Sequence, residues 1–185
     1  TMDRTALDHV QMVSLADIGG LLPGGATANP SLLSTNRFNL RAGEATEAGN
    51  ASFGTAVEVD GVRISNNASF SEIKGASINN IASSNVESVE VISGVPSVEY
   101  GDIGAGIVKV NTKKGLAPYL VTMTTNPKTK QFSVSKGFGL GQSRNGVSGG
   151  VLNANVEYTR SVKDSRSPYE SYNRKQISLN YSNLF

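Results

Sequence analysis

The chain has 185 residues, enough for one ordinary domain and part of another. Charged residues make up only 17% and glycines number 20, a balance that favours strands and turns over long surface helices. With no cysteine, disulfide staples and thiolate metal sites are excluded, and the net charge of +2 is too small to dictate a partner by itself.

In chain order, Ala6 to Leu22 reads as a helix, with Val10, Val13 and Leu15 apolar and Asp17 to Gly20 closing it. Thr55 to Ile64 alternates apolar and polar residues around Asp60-Gly61, the strongest short hairpin signal because both turn positions need positive φ. Ser84-Asn85-Val86-Glu87 fits the S-x-x-E capping box of a helix start, so a short helical turn is expected to run into a strand over Val89 to Ile92. Pro96 suits the first position of another short helix and Gly101 the position after its end, before a strand over Ile107 to Val110 with Lys109 outward.

After Gly115 the texture changes to strict alternation. Tyr119, Val121 and Met123 share a face, as do Phe132 and Val134; Leu152, Ala154, Val156 and Tyr158 oppose Asn153, Asn155, Glu157 and Thr159; Ile177, Leu179 and Tyr181 oppose Gln176, Ser178, Asn180 and Ser182. Strands with one apolar and one polar face fit a transmembrane β-barrel, apolar side to lipid, and equally a half-buried soluble meander, which alternation alone favours. Charge changes at the same boundary. Up to Gly115 there are 8 basic and 12 acidic residues, and after it 9 basic and 3 acidic, so a −4 region precedes a +6 region. A basic region invites phosphate, in nucleic acid or lipid headgroups. Its Lys and Arg are nevertheless scattered among Ser and Asn without a clustered stripe, so solvated strands are the preferred reading and no nucleic-acid partner is expected. No stretch approaches the ~18–20 apolar residues of a membrane helix.

Catalytic readings fail on context. His9, the single histidine, sits in a helix with Asp8 pointing elsewhere. Glu87 is assigned to a cap and Glu90 to a strand, which argues against a carboxylate pair. The series Gly101, Gly104, Gly106 and Gly137, Gly139, Gly141 precede no helix whose N-terminus would hold pyrophosphate. No enzyme activity, metal or cofactor is expected.

The order of motifs from Val57 to Lys114 carries a resemblance. Val59-Asp60-Gly61-Val62, Val86-Glu87-Ser88-Val89-Glu90-Val91, Gly94-Val95-Pro96 with Tyr100-Gly101, and Gly106-Ile107-Val108 with Thr112-Lys113-Lys114-Gly115 appear in sequence. This series resembles the plug domain of TonB-dependent outer-membrane transporters, in its details the Bacteroidetes members. Leu21-Leu22-Pro23-Gly24 and Phe38-Asn39-Leu40-Arg41-Ala42-Gly43 also resemble early plug segments, although Ala42 interrupts the usual Arg-Gly pair.

The resemblance implies an α+β fold: a plug domain over residues 1–115 with a small mixed β-sheet and short helices, then over 116–185 about the first four antiparallel strands of an incomplete transmembrane β-barrel. Placement directly after a plug reverses the preference for a soluble meander. Such barrels have about 22 strands, so the chain is expected to be a piece of a longer precursor, from an outer membrane of a Gram-negative bacterium. It implies active import, in which the plug gates the barrel, helps bind an external nutrient, and is opened by TonB using the proton gradient. The plug apex loops, Glu44 to Ser52 and Ser65 to Phe70, are then substrate-facing, with Asn50, Asn66, Asn67 and Phe70 as candidate contacts. Arg41 matches a family arginine that latches plug to barrel glutamates, while Ser93 replaces the second basic latch residue. Asp60, Gly61, Glu87, Pro96, Tyr100 and Gly101 are the structural motif. Expected partners are periplasmic TonB, through a segment upstream of this chain, outer-membrane lipid, a small ligand such as a glycan, peptide, siderophore or vitamin, and a surface lipoprotein. If the first barrel strand rises from the periplasm, Thr125 to Lys130 and Ser161 to Tyr172 are outer loops and Gln142 to Ser148 a periplasmic turn. The second outer loop, Lys163 to Tyr169, suits ligand or lipopolysaccharide contact as well as it suits an ordinary exposed loop. The rival readings are a soluble α+β binding module and an outer-membrane receptor that only signals.

Overall fold

A computed structural model gives the fold. It describes residues 1–10, 12–21, 32–33, 38, 40, 55–64, 69–70, 73–74, 78–94, 97–101, 103, 106–141, 149–164 and 166–183, with the backbone alone at 69–70, 73–74 and 167–168. These residues form two compact units, the first from 1–81 and 88–111, the second from 82–87 and 112–185.

In the first unit, helix α1 (Arg4–Val10) starts on Asp3, whose carboxylate accepts the Ala6 N–H at 2.9 Å, and carries an Arg4–Asp8 ion pair one turn apart at 2.6 Å. A 3₁₀ turn over Leu15–Leu21 follows. The single helix expected over Ala6 to Leu22 is therefore two. The break has a local cause: Asp17 Oδ2 takes the Val13 and Ser14 amides at 2.9 and 3.0 Å, the donors that an unbroken helix would direct to carbonyls four residues back.

The sheet of this unit has the order β2-β1-β6-β5, from β1 (Thr55–Val59), β2 (Val62–Arg63), β5 (Val86–Ser93) and β6 (Gly106–Thr112). Asp60 (φ 51°) and Gly61 (φ 83°) both occupy the left-handed region, as a hairpin turn matched to strand twist requires. The sheet is mixed: β1 runs antiparallel to β2 and parallel to β6, with Ala56 opposite Ile107 and Val57 opposite Val108. Adjacent Ile107 and Val108 are both fully buried, the pattern of a strand covered on both faces. Leu7, Leu15, Ile18, Ile78 and Val89 are also fully or nearly fully buried side chains of this unit. Gly106 (φ 143°) leaves room for the chain to pass Ile92, since a Cβ there would meet the Ile92 carbonyl oxygen at 2.5 Å. Two further two-residue strands, β3 (Ser69–Phe70) and β4 (Ile73–Lys74), form a separate hairpin.

The expected helix between Pro96 and Gly101 is a turn among the described residues, closed by Tyr100 N–H donating to the Ser97 carbonyl at 2.9 Å. It is tied down from the sheet. Lys109 Nζ donates to the Tyr100 hydroxyl at 2.5 Å, and Arg63 Nη1 donates to the Gly101 carbonyl at 3.1 Å. The Tyr100 hydroxyl raises the Lys109 pKa above the ordinary lysine value.

The second unit contains an antiparallel meander, β10-β9-β8-β7, from β7 (Leu120–Thr125), β8 (Thr129–Gly139), β9 (Val151–Asp164) and β10 (Ser167–Ser182). All four expected strands are present and three run further than the alternation suggested. The loop expected over Ser161 to Tyr172 is mostly strand: Tyr172 pairs with Ser161, Ser171 with Val162 and Ser167 with Asp164. Mixed charge there reads as loop in sequence, but cross-strand pairing absorbs it, with Lys163 bridging Glu170 at 2.7 Å. The first hairpin turn is Asn126 to Lys128, where the Asn126 side chain accepts the Lys128 and Thr129 amides. Among the described residues no helix is long and apolar enough to cross a membrane.

Candidate functional site on the polar face of the second sheet

The two faces of the second sheet are sorted by polarity, with the polar face inside. Gln131, Ser133, Asn153, Asn155, Glu157, Thr159, Ser161 and Arg174 are all buried. The opposite face exposes its apolar residues: Val121, Val156 and Ile177 form one row across the strands together with Val134, and Met123 and Ile177 are 72% and 74% exposed. Aromatic residues flank this band at both ends. Phe132 lies directly opposite Tyr158 at one, while Tyr119, Phe138 and Tyr181 stand at the other, with Phe138 and Tyr181 both paired to Leu152. Phe132 to Phe138 spans about 20 Å along the strand at ~3.4 Å per residue. Lys136 lies between these rows, its ammonium 3.8 Å from the Tyr119 ring centroid and 4.8 Å from that of Phe138.

The polar face converges on Glu157, 1% exposed. Arg174 Nη2 and Thr159 Oγ1 (3.1 Å) donate to its Oε1, and the Ser84 hydroxyl (2.5 Å) and Ser84 N–H (3.3 Å) donate to Oε2. A buried ion pair owes its stability to the hydrogen bonds that replace lost water, and here both carboxylate oxygens are supplied. Beside it, Gln131 Nε2 donates to Ser83 Oγ at 3.0 Å, and Asn155 lies 3.4 Å from the Ser84 hydroxyl. A segment distant in sequence, Ala82–Glu87, is thereby bound to β8 and β9 within the second unit.

This corrects the expected capping box. Ser84 lies inside a 3₁₀ turn over Ser83–Asn85, the turn has no side-chain cap, and Glu87 is an exposed residue of β5. The hydroxyl that would cap a helix is taken by Glu157. The segment that enters β7 is held on the same face, with Asn180 Nδ2 on Thr112 Oγ1 at 2.8 Å and Asn153 Nδ2 on the Gly115 carbonyl at 2.7 Å. Gly137 permits that approach, because a Cβ would meet the Ala117 nitrogen at 2.5 Å.

Of the sequence-predicted site residues, Asp60 and Gly61 form the hairpin turn, and Tyr100 and Gly101 receive Lys109 and Arg63. Phe70 ends β3. Asn50, Asn66, Asn67, Arg41 and Pro96 lie outside the described residues, as does the turn expected over Gln142 to Ser148. His9 Nδ1 is 2.7 Å from the Thr5 carbonyl on an exposed helix, and Asp8 is engaged by Arg4. Among the described residues no three His, Cys, Asp or Glu side chains gather as a metal site. Sequence reasoning missed Glu157, Arg174 and Ser84 as a group. The available signal was a lone carboxylate among the neutral Asn153, Asn155 and Thr159 of its own strand, but its partners come from 73 and 17 residues away.

The architecture, a mixed sheet with short helical turns followed by an antiparallel sheet with inverted polarity, agrees with a plug followed by barrel strands. The family model for the TonB-dependent receptor plug domain matches residues 1–108. The chain belongs to this family of TonB-dependent receptors, transport proteins of the Gram-negative outer membrane. No curated protein matches the sequence.

Proposed function

We propose that this chain is the plug and the opening barrel strands of an active importer in the outer membrane, in which TonB uses the proton gradient to displace the plug and admit an external nutrient. The observation that carries the reading is the inverted second sheet: polar side chains inside, an exposed apolar band between two aromatic rows, immediately after the family-matched segment. Bilayer-spanning strands have this distribution because hydrocarbon is the outer solvent. Glu157 and Arg174 then belong to the barrel wall, and Ser83 and Ser84 of the plug are tethered to it there. Asn50, Asn66, Asn67 and Phe70 are assigned to ligand contact, Arg41 to a second latch.

Cell fractionation and uptake test this on the full-length protein. It should sediment with the outer membrane, require detergent for extraction, and support accumulation of its nutrient only in cells with an intact TonB and a proton gradient. A protein that stays monomeric and folded without detergent would instead make the second sheet part of a soluble binding module.

A further inference from the structure

We propose that the outward face of the second sheet carries, at its β7–β8 hairpin end, a binding site for the phosphate groups of an anionic lipid, built by Lys130, Arg160 and Lys175. The inference rests on the membrane reading above and adds to it a specific lipid chemistry.

In sequence these cations are scattered; in register they meet. Lys130 lies directly opposite Arg160, and Lys175 lies opposite Tyr158, one row nearer the apolar band and diagonal to Arg160. Paired residues share a face, so all three project on the side of Phe132, Tyr158 and Ile177, and all three are exposed. Like charges directly opposite on a ladder destabilise it unless an anion lies between them. Among the described residues none of the three has an ion pair or a ring partner, in contrast to Lys136 within the band, which two aromatic rings cover. Asp164, the carboxylate further out on the same strand face, is occupied by the Arg166 N–H at 2.9 Å.

The position of the cluster specifies the anion. It begins where the apolar band ends, at the Phe132–Tyr158 row. A ligand whose acyl chains lie along Val134, Val156 and Ile177 would bring its headgroup to the level of the three cations. A polyvalent phosphate headgroup answers both features, since each cation beside a charged bilayer surface contributes independently to retention.

The test uses the full-length protein and the variant with Lys130→Gln, Arg160→Gln and Lys175→Gln together. Each is reconstituted into phosphatidylcholine vesicles and, in detergent, titrated with lipopolysaccharide, phosphatase-treated lipopolysaccharide or inorganic phosphate. Expected is insertion of both proteins, with lipopolysaccharide affinity on the order of 100-fold weaker in the triple variant. Phosphatase-treated lipid and free phosphate should bind the wild type no better than lipopolysaccharide binds the variant, and Lys130→Arg with Lys175→Arg should keep the wild-type affinity. An inserted triple variant that binds lipopolysaccharide as tightly as wild type overturns the proposal while leaving the membrane reading intact. Equal affinity of the wild type for the dephosphorylated lipid does the same. Failure of the wild type to insert removes both. If the triple variant itself does not insert, the wild-type salt dependence decides: affinity that falls steeply between about 50 and about 500 mM NaCl supports the site, and a flat response overturns it.

Discussion

The two sheets of this chain bury opposite kinds of side chain. In the first, Ala56, Val57, Ile107 and Val108 are buried while Val62 and Arg63 face outward, the arrangement of a core formed in water. In the second, Asn155, Glu157 and Thr159 are buried while Val121, Val156, Ile177 and Leu179 are exposed. Alternation fixes only that a strand has two unlike faces. Which face is interior depends on the solvent outside, and the inversion between the two sheets is what a lipid-facing second sheet would produce.

The largest expected effect falls on the interior of the second sheet. Glu157→Ala leaves Arg174 buried without its carboxylate and should cost about 3–5 kcal/mol, read as a lowered urea midpoint. Glu157→Gln combined with Arg174→Met should recover much of that loss. If the single variant is as stable as wild type, the network does not hold this face. In the first sheet, Ile107→Ala removes a fully buried side chain and should cost about 2–5 kcal/mol by the same measurement. Ile177 sharpens the contrast. Ile177→Arg should cost about 2–4 kcal/mol if the apolar face lies at the middle of a bilayer, and within about 0.5 kcal/mol if that face meets water, as for surface substitutions generally. Refolding this variant into vesicles beside wild type distinguishes the two solvents directly.

Local chemistry was legible where a few adjacent residues settle it. Asp60-Gly61 marked its turn because few other pairs tolerate left-handed backbone at both positions. The four later strands were visible from alternation, and the ordered motifs from Val59 to Gly115 were enough to point to the plug family. Misreadings arose where a side chain had a partner that local sequence does not show. Asp17 captured two amides and split the first helix, and Ser84 served Glu157 in place of a helix cap.

The sequence by itself determined the hairpin, the strand faces, the absence of cysteine chemistry and the order of motifs that resembles a plug, because each follows from backbone preference or composition over short range. Only the tertiary structure decided that β1 lies parallel to β6, that Ser84, Glu157, Thr159 and Arg174 form one buried network, and that Lys130 stands opposite Arg160. Strand register sets these meetings, and register is a property of pairs of segments, specified by packing between them and by neither segment alone.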